Sequence, residues 1–387
     1  MRSFISKSLV ALAASLPLLV SAAPAIVPQS IAKRAEVDIL VFKFADVLEQ
    51  LESAFYEQAL AKFKEEDFIA AGFSSAKIAI EQFVRIQKDE ATHSVVLQSA
   101  LRSFGQEPIT GCKFNFAPAL TDVATMAATA RVVENVGVGA YLGGAALLTD
   151  PVLVTAAGSI LTVEARHQSI LNLLSGTGTA IPNAFDFALT PSEVLALAGP
   201  FFDGPCDLGI PANEVLQVTN TGPIGPGTKL TFSSAAIKGG ADQQNLHCQM
   251  LVGGKGTSIP FPIDECVVPG DLNGPVAIFV TSDGQPLINN VRDRATTQLV
   301  AGPALAFIDI EPQTLGQLAR AGAQVLSTST ISPGQASSIL SAPAPTGTAG
   351  GAPPVVTLSP SANRETGPSD DGATTVNGWV IDGVPQV

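Results

Sequence analysis

Two stretches decide the fold of the N-terminal region: KDEATHSVVLQSAL at residues 88–101 and ILTVEARHQSILNLL at residues 160–174. Apolar residues recur through both stretches at spacings of three and four, which places their side chains on one face of a helix. On that same face, each stretch carries a glutamate followed three residues later by a histidine: Glu90 and His93, then Glu164 and His167. Both polar pairs are therefore predicted to point into the protein interior.

Two further helical stretches repeat a second pattern, LEQLESAFYEQAL at residues 48–60 and VENVGVGAYLGGA at residues 133–145. In each stretch a glutamate precedes a tyrosine by seven residues, which is two helical turns and places both side chains on one face. These pairs contain the only two tyrosines of the chain: Glu49 with Tyr56, and Glu134 with Tyr141. The chain thus shows an internal repeat, in which a Glu…Tyr helix is followed by a Glu-x-x-His helix, twice.

The repeated side chains predict a dinuclear metal site. Four carboxylates and two imidazoles inside an apolar bundle would be very costly without compensation, and two divalent cations match the four carboxylate charges. The mixed oxygen and nitrogen donors suit iron or manganese. Glu52 lies one turn after Glu49 and is an alternative on the same face. The predicted ligands of the two iron or manganese ions are Glu49, Glu90, His93, Glu134, Glu164 and His167.

The two tyrosines allow two interpretations. As core aromatic residues, Tyr56 and Tyr141 would each hydrogen-bond a carboxylate, and as catalytic residues they would take part in redox chemistry at the metals. The glycines of GVGAYLGG, residues 137–144, are predicted to allow close helix packing, because no strand precedes them as a nucleotide loop requires. No H-E-x-x-H, G-x-S-x-G or G-x-x-x-x-G-K-[ST] motif occurs, so metalloprotease, lipase-type hydrolase and NTPase functions lack support.

The hydrophobic periodicity predicts four long helices, over residues 38–64, 76–104, 121–148 and 151–174. Asp150 and Pro151 suit the N-cap and the first helical position, so the third and fourth helices should form a tight antiparallel hairpin. The long link over residues 105–120 can cross the length of a bundle. We therefore predict a four-helix bundle over residues 35–205.

Beyond Cys206 the pattern changes to short runs rich in Val, Thr, Ile and Phe, separated by Gly, Pro and Asn. These runs predict a β-sandwich-like domain over residues 206–311, which makes the whole chain a multidomain α+β protein. Residues 312–387 hold one helix-like run, TLGQLARAGAQVL, and a Ser/Thr/Pro/Gly-rich tract that predicts a flexible tail. The expected strand sequences are EVLQVTNT, TKLTFSS, LHCQMLVGG, CVVPG, PVAIFVTSDG and TQLVAG.

The N-terminus indicates secretion. Residues 1–22 combine a basic start, a short apolar run and a small-residue exit, which is typical of a signal peptide. Residues 23–34 end in Lys33-Arg34, which is either the dibasic processing site of a propeptide over these residues or a pair of surface cations. The net charge of −13 argues against a nucleic-acid partner, because an acidic surface repels phosphate. No remaining apolar stretch is long enough to predict an integral membrane segment after signal removal.

The chain has four cysteines and no C-x-x-C motif. An even number of cysteines in a secreted chain favours disulfides over a zinc site. Three connectivities are open, and we favour the one that pairs Cys112 with Cys206 and Cys248 with Cys266.

Over residues 38–175 the chain resembles the ferritin-like superfamily, on the strength of LEQLESAFYEQAL, QKDEATHSVVL and the two Glu-x-x-His pairs. With the secretion signal and the sandwich-like continuation, it looks most similar to secreted fungal ferritin-like proteins associated with stress responses and late sexual development. Plant desiccation-associated proteins look similar through the helical part. The resemblance implies a dinuclear site at the six ligand positions, with a tyrosine beside it.

Two functions are compatible with these features. The first is a secreted oxidoreductase-type protein whose two metals activate O₂ or peroxide. The alternative is a non-catalytic protein of the cell surface or cell wall, with a stabilising or vestigial metal site. Its partner would bind through the β domain or the tail.

Overall fold

A computed structural model of the chain describes residues 36–237, 245–320, 363–368 and 375–379. It divides into two units, Met1–Val325 and Leu326–Val387. The predicted signal peptide, the Lys33-Arg34 site and most of the predicted tail lie outside the described residues. Within those residues, no helix combines the length and apolarity needed to span a bilayer.

All four predicted long helices are confirmed, as α1, α3, α4 and α5. Two short helices, α2 and α6, were not predicted, because each has too few residues to show a periodic pattern. The predicted helix after residue 312 is described only over its first part, as α7. The helix bounds are α1 Glu36–Lys62, α2 Glu65–Ala70, α3 Ala76–Ser103, α4 Val123–Ala145, α5 Pro151–Ser175, α6 Pro191–Ala198 and α7 Thr314–Ala319.

Side chains at the helix starts fix where the bundle helices begin. Asp150 is the N-cap of α5 as predicted, accepts a hydrogen bond from the Val152 amide, and is followed by Pro151. The α4–α5 turn is tied to α1 by the buried carboxylate of Asp38, which accepts bonds from the amide and the hydroxyl of Thr149 at 2.7 and 2.8 Å. The antiparallel α4–α5 hairpin is thereby held against the first helix.

The bundle packs as two helical hairpins, α1 on α3 and α4 on α5. Its apolar core includes Phe55, Phe83, Met126 and Leu171, each no more than 2% exposed. Burial of one such side chain contributes about 1.5–3 kcal/mol. The four helices therefore have a firm apolar framework that positions the polar side chains between them.

The region after α6 consists of antiparallel sheets, as predicted. β4, β3, β5 and β6 form one sheet in that order, β1 pairs with β2, and in the second unit β7 pairs with β8. The strand bounds are β1 Gln217–Val218, β2 Phe232–Ser233, β3 His247–Leu251, β4 Ile259–Pro262, β5 Gly274–Thr281, β6 Leu299–Ile308, β7 Asn363–Pro368 and β8 Thr375–Trp379.

The central strand β5 is buried on both faces, which explains its continuous apolar run. Ala277 and Phe279 belong to the apolar core that they share with the helical bundle. The alternate residues Val276, Ile278 and Val280 belong to a second core, together with side chains near β1 and β2. Successive side chains of a strand point to opposite faces. β5 therefore packs against the helical bundle on one face and against the second core on the other.

Two strand predictions need correction. CVVPG, residues 266–270, is not a strand: only Val267 pairs, in an isolated bridge with Lys229. β4 was missed because its sequence, IPFP, contains Pro260 and Pro262, and proline is depleted in strands. β4 lies at the edge of its sheet, where the missing amide hydrogens do no harm.

The favoured disulfide pairing is confirmed. Cys112 in the α3–α4 link bonds Cys206, which follows α6. Cys248 in β3 bonds Cys266, which follows β4. The domain boundary placed between residues 205 and 206 stays a prediction.

Two ion pairs join the helices to the β region. The guanidinium of Arg131 in α4 binds both carboxylate oxygens of Asp309 at 2.7 Å and lies 4.0 Å from the centre of the Phe307 ring. The guanidinium of Arg294 lies 2.5 Å from the carboxylate of Glu193 in α6, and both side chains are at most 2% exposed. Such bidentate or fully buried pairs are geometrically specific, so they fix the two parts of the chain in register.

Candidate metal centre

The structure brings all six predicted ligand residues together at the centre of the bundle. Their ligand atoms form two groups, and within each group the atoms lie within 4.8 Å of one another. Glu90 and Glu164 belong to both groups, so the two positions share a pair of carboxylates. The first group is Glu49, Glu90, His93 and Glu164, and the second is Glu90, Glu134, Glu164 and His167.

Each imidazole faces the carboxylates of its own group through Nδ1. In the first group, His93 Nδ1 lies 3.2 Å from Glu49, 3.0 Å from Glu90 and 3.3 Å from Glu164. In the second group, His167 Nδ1 lies 2.8 Å from Glu90 and 3.2 Å from Glu134. The ring centres are 6.5 Å apart. This is a paired arrangement with one nitrogen donor for each position.

The tyrosines bond across the bundle rather than to the glutamates of their own helices. Tyr56 on α1 donates to Glu134 on α4 at 2.6 Å, and Tyr141 on α4 donates to Glu49 on α1. Both phenols are buried. The internal repeat is therefore also a structural repeat, because the tyrosine of each Glu…Tyr helix orients the glutamate of the other.

Glu52, the alternative ligand, is buried but belongs to neither group. Its carboxylate lies beside Gly137, where an added Cβ would come within 3.3 Å of Glu52 Oε1 and 2.7 Å of Glu164 Oε2. Glycine at 137 thus leaves room for two carboxylates. The predicted role of this glycine stretch in helix packing needs correction at residues 139 and 143, because both approach Leu189 in the chain before α6.

Asp89 is a site residue that the sequence interpretation missed. Its carboxylate lies 3.3 Å from Nε2 of His167 and is paired with Arg85 on the same helix. A carboxylate at the second ring nitrogen fixes the orientation and tautomer of a metal-binding histidine. In the other Glu-x-x-His helix, the residue directly before Glu164 is Val163. The two halves of the repeat therefore differ at this position. In the sequence, the only sign of this role is that an acidic residue directly precedes Glu90.

Burial and mutual repulsion perturb the carboxylates. Burial raises the pKa of Glu49 to about 8, despite the opposing contact with His93. Burial, followed by repulsion from Glu90, places the pKa of Glu164 well above its usual value. Burial would also raise the pKa of Glu90, but the two imidazoles outweigh it and hold this pKa at about 2. The pKa values of the two shared carboxylates are thus shifted in opposite directions.

Contacts with the glutamates also shift the pKa values of both histidines. Burial opposes their charge, yet contacts with the surrounding glutamates raise the pKa of His93 to about 12 and of His167 to about 11. Protons therefore occupy the centre of the cluster at neutral pH. Cations in the same place would satisfy Glu90 Oε1 and both oxygens of Glu164, which are buried without a well-aligned hydrogen-bond partner. The donor set and these unsatisfied oxygens fit divalent ions.

Metal binding should release protons, because the ligands bind metal only when they are deprotonated. At pH 7, His93, His167 and Glu49 hold protons that an ion must displace, so affinity should rise with pH and fall as the cluster is protonated. We expect about two to four protons released per pair of ions. Calorimetry of manganese binding in buffers of different ionisation enthalpy measures this number. Binding without proton release would contradict the proposed ligand set.

Alanine in place of Gly137 should weaken metal binding without unfolding the protein. The new Cβ would displace the carboxylate of Glu164, a flexible group, while alanine favours the helix by about 1 kcal/mol. We expect ion affinity to fall about 10-fold or more, with little change in the free energy of unfolding. The control is Gly158→Ala on α5, where the Cβ would meet no atom of the described residues within 4 Å. Equal ion affinity in both variants would show that the space at 137 is irrelevant.

The cluster is approached from two sides of different character. On the histidine side, a polar pocket of about 330 Å³ lies between α3 and α5. A second, narrow cavity of about 60 Å³ follows α1 and α4, and among the residues that the structure describes its only polar lining side chains are Glu52 and Tyr141. The centre is thus buried, but it is not sealed from small molecules.

A helical bundle with one glutamate from each of two helices and Glu-x-x-His from the other two defines the class of dinuclear carboxylate proteins. Residues 37–177 match the family model of the ferritin-like domain, which supports the resemblance to that superfamily. The search among curated proteins gave no match to the chain. The chain therefore contains a ferritin-like domain with a buried cluster of acidic residues and histidines that could hold a metal.

Proposed function

We propose that the protein is a dinuclear metalloprotein that binds two iron or manganese ions in its ferritin-like bundle and uses them to activate O₂ or peroxide. The observation that carries the proposal is the pair of overlapping ligand groups, which share Glu90 and Glu164. A single ion would leave one histidine and one of the two glutamates Glu49 and Glu134 without a metal ion to bind. Iron or manganese supplies a Lewis-acidic and redox-active centre when bound.

The ligand residues fall into three roles. The shared carboxylates, Glu90 and Glu164, would contact both ions. Glu49 and Glu134 would each complete one position, and His93 and His167 would supply one nitrogen to each. The apolar helix faces around them exclude bulk water, which strengthens every electrostatic contact inside.

The main role of the tyrosines would be to orient the carboxylates of Glu49 and Glu134. Tyr56 holds Glu134 and Tyr141 holds Glu49, each through its phenol proton. Burial, followed by the charge of the bonded glutamate, keeps the pKa of both phenols well above the usual value, so they remain donors. A redox role for Tyr56 and Tyr141 stays a prediction.

The test is to load the purified protein with iron or manganese and to measure ions per chain and consumption of O₂ and peroxide. Two ions per chain with turnover that Glu90→Gln abolishes would support the proposal. Glu57→Gln is the matched control, because Glu57 is exposed on α1. Two ions without turnover would instead favour the structural or interaction protein of the cell surface. Absence of bound ions would overturn the metal site itself.

We also propose that the protein is secreted. The two disulfides support an oxidising compartment, since such bonds are rare in the cytosol. The signal-peptide-like residues 1–22 point the same way. A role in fungal stress or development, like that of the secreted proteins it resembles, stays a prediction, as does a cell-wall partner for the β region or tail.

A further inference from the structure

The polar pocket over the histidines has a definite charge arrangement. Within the part of the chain that the structure describes, five charged or ionisable side chains line it, and all five belong to α3 or α5. Its remaining lining residues are Gln82, Ile86, Val163 and Ile170. The five are Arg85, Asp89, His93, Arg166 and His167.

Two of these charges cancel. Arg85 and Asp89 form an ion pair at 2.5 Å, and Asp89 also contacts His167. Arg166 is exposed at the rim and has no hydrogen-bond or ion-pair partner among the residues that the structure describes. Among the residues that the structure describes, Arg166 is therefore the one cation of this pocket without an acidic partner.

This local cation is notable because the whole chain carries a net charge of −13. The overall field repels anions, so an anion can bind only where positive groups are concentrated locally. A guanidinium binds carboxylate and phosphate groups through two parallel N–H bonds, which suits it to oxyanions better than to neutral ligands.

We propose that the pocket over His93 and His167 binds a small oxyanion, a carboxylate or phosphate group held by Arg166, next to the metal pair. The volume of about 330 Å³ accommodates a small organic acid or phosphate ester. The narrow cavity along α1 and α4 is lined mainly by apolar side chains and by no cationic side chain of the described residues, so it does not serve this ligand. The inference rests on the proposed function, because it assigns a co-substrate class to that centre.

Two probes test the site, inorganic phosphate and succinate. With the manganese-loaded protein, a bound anion lies close to a paramagnetic ion, so its ³¹P or ¹H relaxation should be enhanced. Arg166→Gln should weaken binding of the preferred probe about 10- to 100-fold. Arg166→Lys should restore part of the affinity. The control is Arg292→Gln, because Arg292 is exposed and lies in the β region.

The outcomes separate the two proposals. Equal binding by wild type and Arg166→Gln, or no relaxation enhancement of either probe, overturns the oxyanion site. If the protein binds neither manganese nor iron, the proposed function fails. Calorimetry of the metal-free protein with the same probes and variants then tests the pocket by itself. Arg166-dependent binding there supports the site, and absence of binding overturns it.

Discussion

Glutamine in place of Glu164 should remove both metal ions while leaving the protein folded. Glu164 belongs to both ligand groups, so its loss weakens two positions at once. Substitutions of groups that only support metal ligands cost about 10- to 100-fold in affinity, so loss of a shared ligand should exceed about 100-fold. Burial raises the pKa of Glu164 well above its usual value, which favours the neutral form of the side chain when no metal is bound, and glutamine reproduces that neutral form.

The Glu164→Gln variant is decisive because it should lose both metal ions and still remain folded. Ions per chain and ion affinity are measured beside the free energy of unfolding of the metal-free protein, which should change by no more than about 1 kcal/mol. Glu57→Gln should change neither quantity, because that residue is exposed on α1. A Glu164→Gln protein that keeps two ions at the wild-type affinity would exclude Glu164 as a shared ligand.

Leucine in place of Arg294 should cost about 3–5 kcal/mol of folding free energy. The variant leaves the carboxylate of Glu193 buried without its cation, at the join between α6 and the β region. It also removes bonds to the carbonyl groups of Ala188, Ile288 and Asn289. The penalty comes mainly from the charge that remains, since a lone buried ion costs more than its pair contributes.

Urea unfolding of Arg294→Leu measures this cost. Arg292→Leu is the control and should lie within about 0.5 kcal/mol of wild type, because that side chain is exposed. In the double variant Arg294→Leu with Glu193→Leu, the unpaired charge is gone, so stability should partly recover. A loss below about 1 kcal/mol for Arg294→Leu alone would show that this pair does not hold the two regions together.

The bundle and its polar cluster could be predicted because helical period fixes which residues share a face. Glu90 and His93 share one, as do Glu164 and His167, and burial of unpaired charge then requires that the pairs meet. The cross-bundle bonds of Tyr56 and Tyr141 could not be predicted in the same way. Periodicity gives the face of a helix but not the neighbouring helix that the face meets.

Other features depend on tertiary contacts that leave little trace in sequence. Asp89 is an ordinary surface acid by pattern, and its role appears only when α5 brings His167 within reach. The position of Glu52 depends on the absent side chain at Gly137, across the α1–α4 contact. β4 contradicts strand propensity because an edge strand tolerates proline. In each case the neighbour, and not the local sequence, decides the structure.

Anomalous scattering from crystals of the manganese- or iron-loaded protein tests the dinuclear site most directly. The expected result is two peaks between α1, α3, α4 and α5, one beside His93 and one beside His167, with Glu90 and Glu164 contacting both. A loaded crystal without a peak in the bundle, or with a single peak away from these side chains, would contradict it.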